Sequence, residues 1–205
     1  MITAYFGVPG CGKTTLLTMI AQKELRKMDK GQSPYKHVMT NFYCQGCETV
    51  DLKKLGQFIP EDALILLDEI TLDADSRDFK SFSQYQKLFW ILHRHVGCDI
   101  VYFCQDFSRV DKTIRNLTYD LWYCQKSVFP FFKEFTTCQR IWRNININEY
   151  SNELTLGYRF SNLRERLFTK SKKVLFRKPW YKYFDSYDKG ELANQPEYEY
   201  TLWEG

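Results

Sequence analysis

Near the start of the chain, Gly7-Val8-Pro9-Gly10-Cys11-Gly12-Lys13-Thr14 spells out G-x-x-x-x-G-K-[ST], and nothing else in the sequence restricts the fold as tightly. Glycines in this pattern let backbone N–H groups turn inward around phosphates, the lysine adds a positive charge, and the hydroxyl ligates Mg²⁺. The arrangement works only between a buried strand and a helix whose N-terminus faces the anion. Both flanks are present. Ile2-Thr3-Ala4-Tyr5-Phe6 has the β-branched and aromatic make-up of a buried strand. From Thr14 onward, Leu17, Ile20, Ala21, Leu25 and Met28 recur at helical spacing. Val8, Pro9, Gly10, Cys11, Gly12, Lys13, Thr14 and Thr15 are therefore the expected nucleotide-binding residues.

A second segment points to the same place. Ala63-Leu64-Ile65-Leu66-Leu67 is an unbroken apolar run that ends in Asp68-Glu69. A central parallel strand of this kind delivers two carboxylates to the crevice where open α/β sheets bind ligands. Asp68 is placed to hold Mg²⁺ with Thr14, and Glu69 to polarise an attacking water as a base. Asp99 to Cys104 reads as another buried strand and empties at Gln105, whose carboxamide is either a γ-phosphate sensor or the start of a turn.

The pattern along the chain predicts alternating strands and helices. A second strand is expected over 36–42, then a turn-rich stretch and a short segment over 49–52, and a polar loop over 72–80 near the nucleotide. A helix over 81–96 shares Phe82, Tyr85, Phe89, Leu92 and Val96 on one face and is closed by Gly97. A short helix follows over 110–117. This alternation is the sequence image of a parallel α/β sheet. Beyond Tyr119 the character changes: 120–126, 135–147 and 154–160 are β-rich, with turns at Asn146-Ile147-Asn148-Glu149 and Ser151-Asn152, and read as antiparallel strands on the sheet edge.

Composition sets limits on function. The 205 residues suffice for one domain with a real core, and 44% hydrophobic with 17% aromatic residues favours a folded chain. A formal charge of +4 carries no global argument for nucleic acid. The first strand starts at Ile2, so no secretory leader is expected, and no apolar run approaches the length of about 20 residues that spans a bilayer. Seven cysteines, an odd number, lie in the loop and the strands rather than at disulfide spacings, as suits a reducing compartment. Cys44-Gln45-Gly46-Cys47 is half a zinc motif without its second half, leaving free thiols near a turn as the alternative. The chain contains no N-K-x-D guanine-reading motif, which disfavours a GTPase, and no arginine cluster suited to a nucleoside-kinase lid.

His93-Arg94-His95-Val96-Gly97-Cys98-Asp99-Ile100, the strand ending at Gln105, and Val110-Asp111-Lys112-Thr113-Ile114-Arg115-Asn116-Leu117 together resemble the zonular occludens toxin (Zot) family, which includes the filamentous-phage assembly ATPases. The phosphate loop, the Val38-Met39-Thr40-Asn41 strand, Asp68-Glu69 and the late Tyr183-Phe184-Asp185-Ser186-Tyr187 segment fall in the family's order. The resemblance implies a P-loop NTPase three-layer sandwich, distantly similar to the FtsK and HerA DNA pumps, with a mostly parallel sheet extended by C-terminal antiparallel strands. It implies ATP and Mg²⁺ as cofactors, a homo-oligomer, and a role in virion assembly, export or DNA movement with phage assembly proteins or single-stranded DNA as partners. The usual member carries a transmembrane helix and an extracytoplasmic tail after the ATPase domain. Neither is expected here, and a cytoplasmic protein, in the host cytoplasm if phage-encoded, fits better.

Two arginines in the family-like blocks, Arg94 and Arg115, are candidates for a finger reaching a neighbouring subunit's γ-phosphate; Arg109 competes, and structural ion pairs are the alternative. His93 and His95 are two apart and do not share a helix face, so the pair is no metal site. Between Arg159 and Lys182, Arg164, Arg166, Lys170, Lys172, Lys173, Arg177 and Lys178 are opposed only by Glu165, with aromatics interleaved. Single-stranded DNA, an anionic membrane surface approached peripherally, and a solvated hairpin with core aromatics all suit that pattern. The expected layout is one ATPase domain over 1–185, its β-rich basic extension over 119–185, and an acidic, flexible tail over 186–205. A nucleotide-gated scaffold or DNA-binding protein with little turnover is the competing function.

Overall fold

The computed structural model describes residues 1–70, 84–127, 133–147 and 154–184. The expected polar loop over 72–80, residues 148–149 and 151–152 of the expected turns, and the acidic tail lie outside the described residues; Asn146 and Ile147, expected to open a turn, still belong to a strand.

The chain opens on β1 (Ile2–Phe6), passes through the glycine loop and enters α1 (Lys13–Met28). Then follow β2 (His37–Thr40), the two-residue β3 (Glu48–Thr49), β4 (Ala63–Leu67), α2 (Gln84–Leu92), β5 (Asp99–Cys104), α3 (Lys112–Leu117) and β6 (Asp120–Lys126). The order across the sheet is β3-β2-β4-β5-β1-β6, all parallel, so β1 lies between β5 and β6 with every strand of this half emptying at the same end.

Successive strand residues face opposite layers, which explains the unbroken apolar runs. Ile2 and Ala4, Ile65 and Leu67, and Ile100 and Tyr102 pack toward Phe89 and Trp90 of α2 and Ile114 of α3. Tyr5, Leu64, Leu66, Phe103 and Trp122 pack toward Leu16, Leu17 and Ala21 of α1. The sheet is thus buried on both faces by helices, giving the three layers of the expected sandwich.

Beyond β6 the chain reverses. β7 (Phe135–Ile147) runs antiparallel to β6 in the register Cys124↔Cys138, and β8 (Leu154–Phe160) and β9 (Lys172–Phe176) both run antiparallel to β7. Ile141 pairs with Leu121 of β6 and Phe160 of β8, while Gln139 pairs with Lys172 of β9. β8 and β9 therefore form one line along the outer edge of β7, interrupted by an excursion that contains α4 (Leu163–Phe168). A 3₁₀ segment, Lys178–Tyr183, then returns to α1, where Arg26 stacks on Trp180 and bonds the Tyr183 hydroxyl. The basic run, for which a solvated hairpin is one of three readings, is a strand–helix–strand.

The helix expected over 81–96 stops at Leu92, and residues 93–97 form turns. Tertiary ties cause the early stop: the Asp62 N–H donates to the Val96 carbonyl at 2.9 Å, and the Cys98 thiol to the Pro60 carbonyl at 3.2 Å. All seven cysteines are free. Cys44 and Cys47 face each other across a turn, where the Cys47 hydrogen bond, with help from Gln22, lowers the Cys44 thiol below its usual range against the burial that opposes it.

Candidate nucleotide-binding site

β1 ends at Phe6, and the loop leaves the sheet at Gly7, whose N–H donates to the Cys104 carbonyl of β5 at 3.3 Å. A Cβ on Gly7 would lie 2.2 Å from the Cys124 carbonyl oxygen of β6, so only glycine can leave the sheet here. Gly12 precedes α1 with φ 93°, a left-handed conformation, and supplies no side-chain cap. The first-turn N–H groups of α1 thus start beside the loop with no side-chain acceptor from the cap, the usual arrangement of a helix end that takes an anion.

The acid pair arrives from β4. Thr14 Oγ1 donates to Asp68 Oδ2, and Lys13 Nζ donates to Glu69 Oε2 at 2.7 Å. The two motifs, more than fifty residues apart, meet side chain to side chain. Asn41, just past β2, grips the backbone between them: its Nδ2 donates to the Asp68 carbonyl at 2.9 Å, and its Oδ1 accepts from the Asp68 N–H at 2.7 Å. Glu69 has φ 49°, rare for a residue with a side chain, and this sharp exit from the strand turns its carboxylate back toward Lys13. The Gln105 backbone N–H approaches Glu69 Oε1 at 3.4 Å, which puts the end of β5 beside the same carboxylate.

Burial pushes the Asp68 carboxyl above its usual range, against the Thr14 hydrogen bond and the Lys13 charge. Its other oxygen, Oδ1, is buried and accepts no hydrogen bond. A carboxylate with one oxygen on a threonine hydroxyl and the other unsatisfied is the donor set a hard divalent cation needs. Thr14 and Asp68 therefore fit Mg²⁺.

The antiparallel extension also reaches the loop, which nothing in the sequence motifs foretells. Thr136 Oγ1 of β7 donates to the Cys11 carbonyl at 2.5 Å. A Cβ on Gly12 would lie 2.6 Å from Arg177 Cδ, and one on Gly10 would lie 3.1 Å from Lys126 Nζ. Arg177 follows β9 directly, and Lys126 ends β6. Asn41, Thr136, Lys126 and Arg177 were not among the expected site residues.

Arg94 and Arg115 lie elsewhere. Arg94 lies in the turns between α2 and β5, sharing a cavity with Met1 and Ile2 at the start of β1, and Arg115 lies in the last turn of α3 before β6, so both sit toward the end of the sheet opposite the loop. Arg94 lines a cavity of about 580 Å³ there, with His93, Arg140 and Arg143, and the Arg115 carbonyl accepts from the Arg143 guanidinium. Of the basic C-terminal run, Arg159 is paired with Glu165, and the Lys173 ammonium sits 3.8 Å above the Trp122 ring and donates to the Tyr5 hydroxyl at 2.7 Å. Among the described residues there is no cluster of three or more His, Cys, Asp or Glu suited to a metal, and no helix long and apolar enough to cross a membrane.

The model of the family described as Zonular occludens toxin (Zot) matches residues 17–146. Among solved structures, the chain resembles the N-terminal domain of zonular occludens toxin from Neisseria meningitidis, with 16% identity, a TM-score of 0.58, and coverage of 90% of this chain and 98% of that one. The flagellar accessory protein FlaH from Methanocaldococcus jannaschii is similar at 11% identity and a TM-score of 0.51, over 78% of this chain and 89% of its own. The genome packaging NTPase B204 from Sulfolobus turreted icosahedral virus 2 follows at 9% identity and a TM-score of 0.48, over 79% and 96%. No curated protein matches the sequence.

Proposed function

Because the chain belongs to the Zonular occludens toxin (Zot) family and joins its phosphate loop to an acid pair, we propose that it is a Mg²⁺-dependent ATPase that powers virion assembly, export or DNA movement. The observation that carries this reading is the double contact, Lys13 to Glu69 and Thr14 to Asp68. A phosphate-binding turn alone would bind nucleotide; a carboxylate held within reach of the same lysine adds a base.

The loop N–H groups from Val8 to Thr15 and the start of α1 cradle the β- and γ-phosphates, and Lys13 leaves Glu69 to meet them. Thr14 and Asp68 would hold Mg²⁺, which when bound offsets charge on the phosphate oxygens. Glu69, freed from Lys13, takes a proton from the attacking water, and its turned backbone keeps it aimed at the γ-phosphate. Gln105, at the end of β5, senses whether that phosphate is present. Arg94 and Arg115 are far from the loop of their own chain, so a finger role for either requires a neighbouring copy, which makes a homo-oligomer part of the proposal. Residues 1–185 act as one ATPase unit in the host cytoplasm, with single-stranded DNA or phage assembly proteins as partners.

Phosphate release by the full chain with MgATP tests the reading, with and without single-stranded DNA. Wild type should turn over well above Lys13→Ala, and DNA should stimulate it. Equal rates for the two proteins would leave only the nucleotide-gated scaffold.

A further inference from the structure

We infer that α4 and the turns flanking it form a docking surface for an anionic lipid bilayer. Leu163, Leu167 and Phe168 are 73%, 72% and 85% exposed. A single apolar side chain in solvent needs no account, but three on one six-residue helix do.

The segment that presents them is firmly built. Asn162 and Glu165 form a reciprocal capping box at the start of α4, and Glu165 also takes both ends of the Arg159 guanidinium, at 2.8 and 2.6 Å. Trp142 Nε1 of β7 donates to Ser161 Oγ at 2.9 Å, and Thr169 Oγ1 closes the helix on the Glu165 carbonyl. Polar side chains thus pin the base of the excursion to the sheet while its apolar side chains point away from the protein.

Charge identifies the partner. Arg164, Arg166, Lys170 and Lys172 stand exposed on the same excursion. Glu165, the one carboxylate between Ser161 and Lys172, is already spent on Arg159. An apolar tip ringed by cations matches a surface whose acyl region lies just beneath anionic headgroups. A nucleic acid would use the cations, but two of the three projecting groups are leucines, with no π-face on which a base stacks. A second copy meeting the same patch would set its own four cations against these. The inference is independent of the ATPase reading.

The full-length protein is sedimented with phosphatidylcholine vesicles made with and without phosphatidylserine. The expected result is partition onto the phosphatidylserine vesicles only, weakened by salt. Leu167→Ser with Phe168→Ser should lower it about tenfold or more. Arg164→Ser with Arg166→Ser should lower it about fivefold per charge. Circular dichroism and melting confirm the fold; if the apolar pair does not fold, the arginine pair and the salt titration decide. Partition equal on neutral vesicles, or unchanged in the variants, overturns the inference. So does an effect of the variants confined to oligonucleotide binding, or to mass by light scattering without lipid.

Discussion

Replacing Glu69 by glutamine should move binding and turnover in opposite directions. Lys13 Nζ and Glu69 Oε2 are 2.7 Å apart, with side chains only 13% and 18% exposed. At an effective dielectric of about 20 the gross attraction at that distance is about 6 kcal/mol, most of it cancelled by desolvation. What survives for a charge-assisted hydrogen bond is about 1.5–3 kcal/mol. An incoming triphosphate has to take Lys13 away from that bond. Glutamine keeps the shape and still accepts from the Lys13 ammonium through an uncharged oxygen, a bond of about 1 kcal/mol, so about 0.5–2 kcal/mol of competition disappears. Affinity for ATP should rise about 2- to 30-fold. Glutamine cannot accept the water proton, and removing a general base costs about 10²- to 10⁴-fold in turnover. Titration with a fluorescent ATP analogue gives the first quantity and single-turnover phosphate release the second. Weaker binding by Glu69→Gln, or a turnover within about threefold of wild type, would refute the reasoning.

Asp68→Asn should raise the thermal midpoint of the nucleotide-free protein near neutral pH. Burial lifts the Asp68 pKa above 3.8 in the folded state, so the folded state binds the extra proton and stability falls as pH rises from the unfolded value through the raised one; melts between about pH 4 and 8 should show a slope that the variant lacks. The same variant should lose any Mg²⁺ dependence of nucleotide binding. Asn41→Ala removes both hydrogen bonds to the Asp68 backbone and should cost about 1–3 kcal/mol in chemical denaturation, with a larger loss in turnover than in affinity. Thr136→Val deletes the hydroxyl that holds the Cys11 carbonyl and should weaken ATP binding about fivefold, from about 1 kcal/mol, as read by the same titration.

The sheet and the site were legible to different depths, for physical reasons. Phosphate loop, acid pair and the strands around them are local signals: glycine spacing and apolar run length survive without tertiary context. β7 and β8 begin and end where their β-rich composition does. α2 is shorter than its apolar period because ties from Asp62 and Pro60, distant in the chain, end it early. α4 was hidden among basic residues, although Asn162-x-x-Glu165 is a capping box readable from sequence. Thr136, Lys126 and Arg177 belong to no motif, and only strand pairing brings them to the loop. The remoteness of Arg94 follows from topology: in a parallel α/β unit the crossover helix ends where the next strand begins, away from the strand ends that form the site.

β9 joins the two regions by a direct covalent route. It leaves the α4 excursion at Lys172, runs five residues along β7, and is followed at once by Arg177, which lies over Gly12. A pull applied to the tip would pass along a strand hydrogen-bonded to β7 and reach the residue that covers the glycine turn. Fastening the one end should therefore stiffen the other, and a cut between them should weaken ATP binding in the same titration while leaving every motif residue in place.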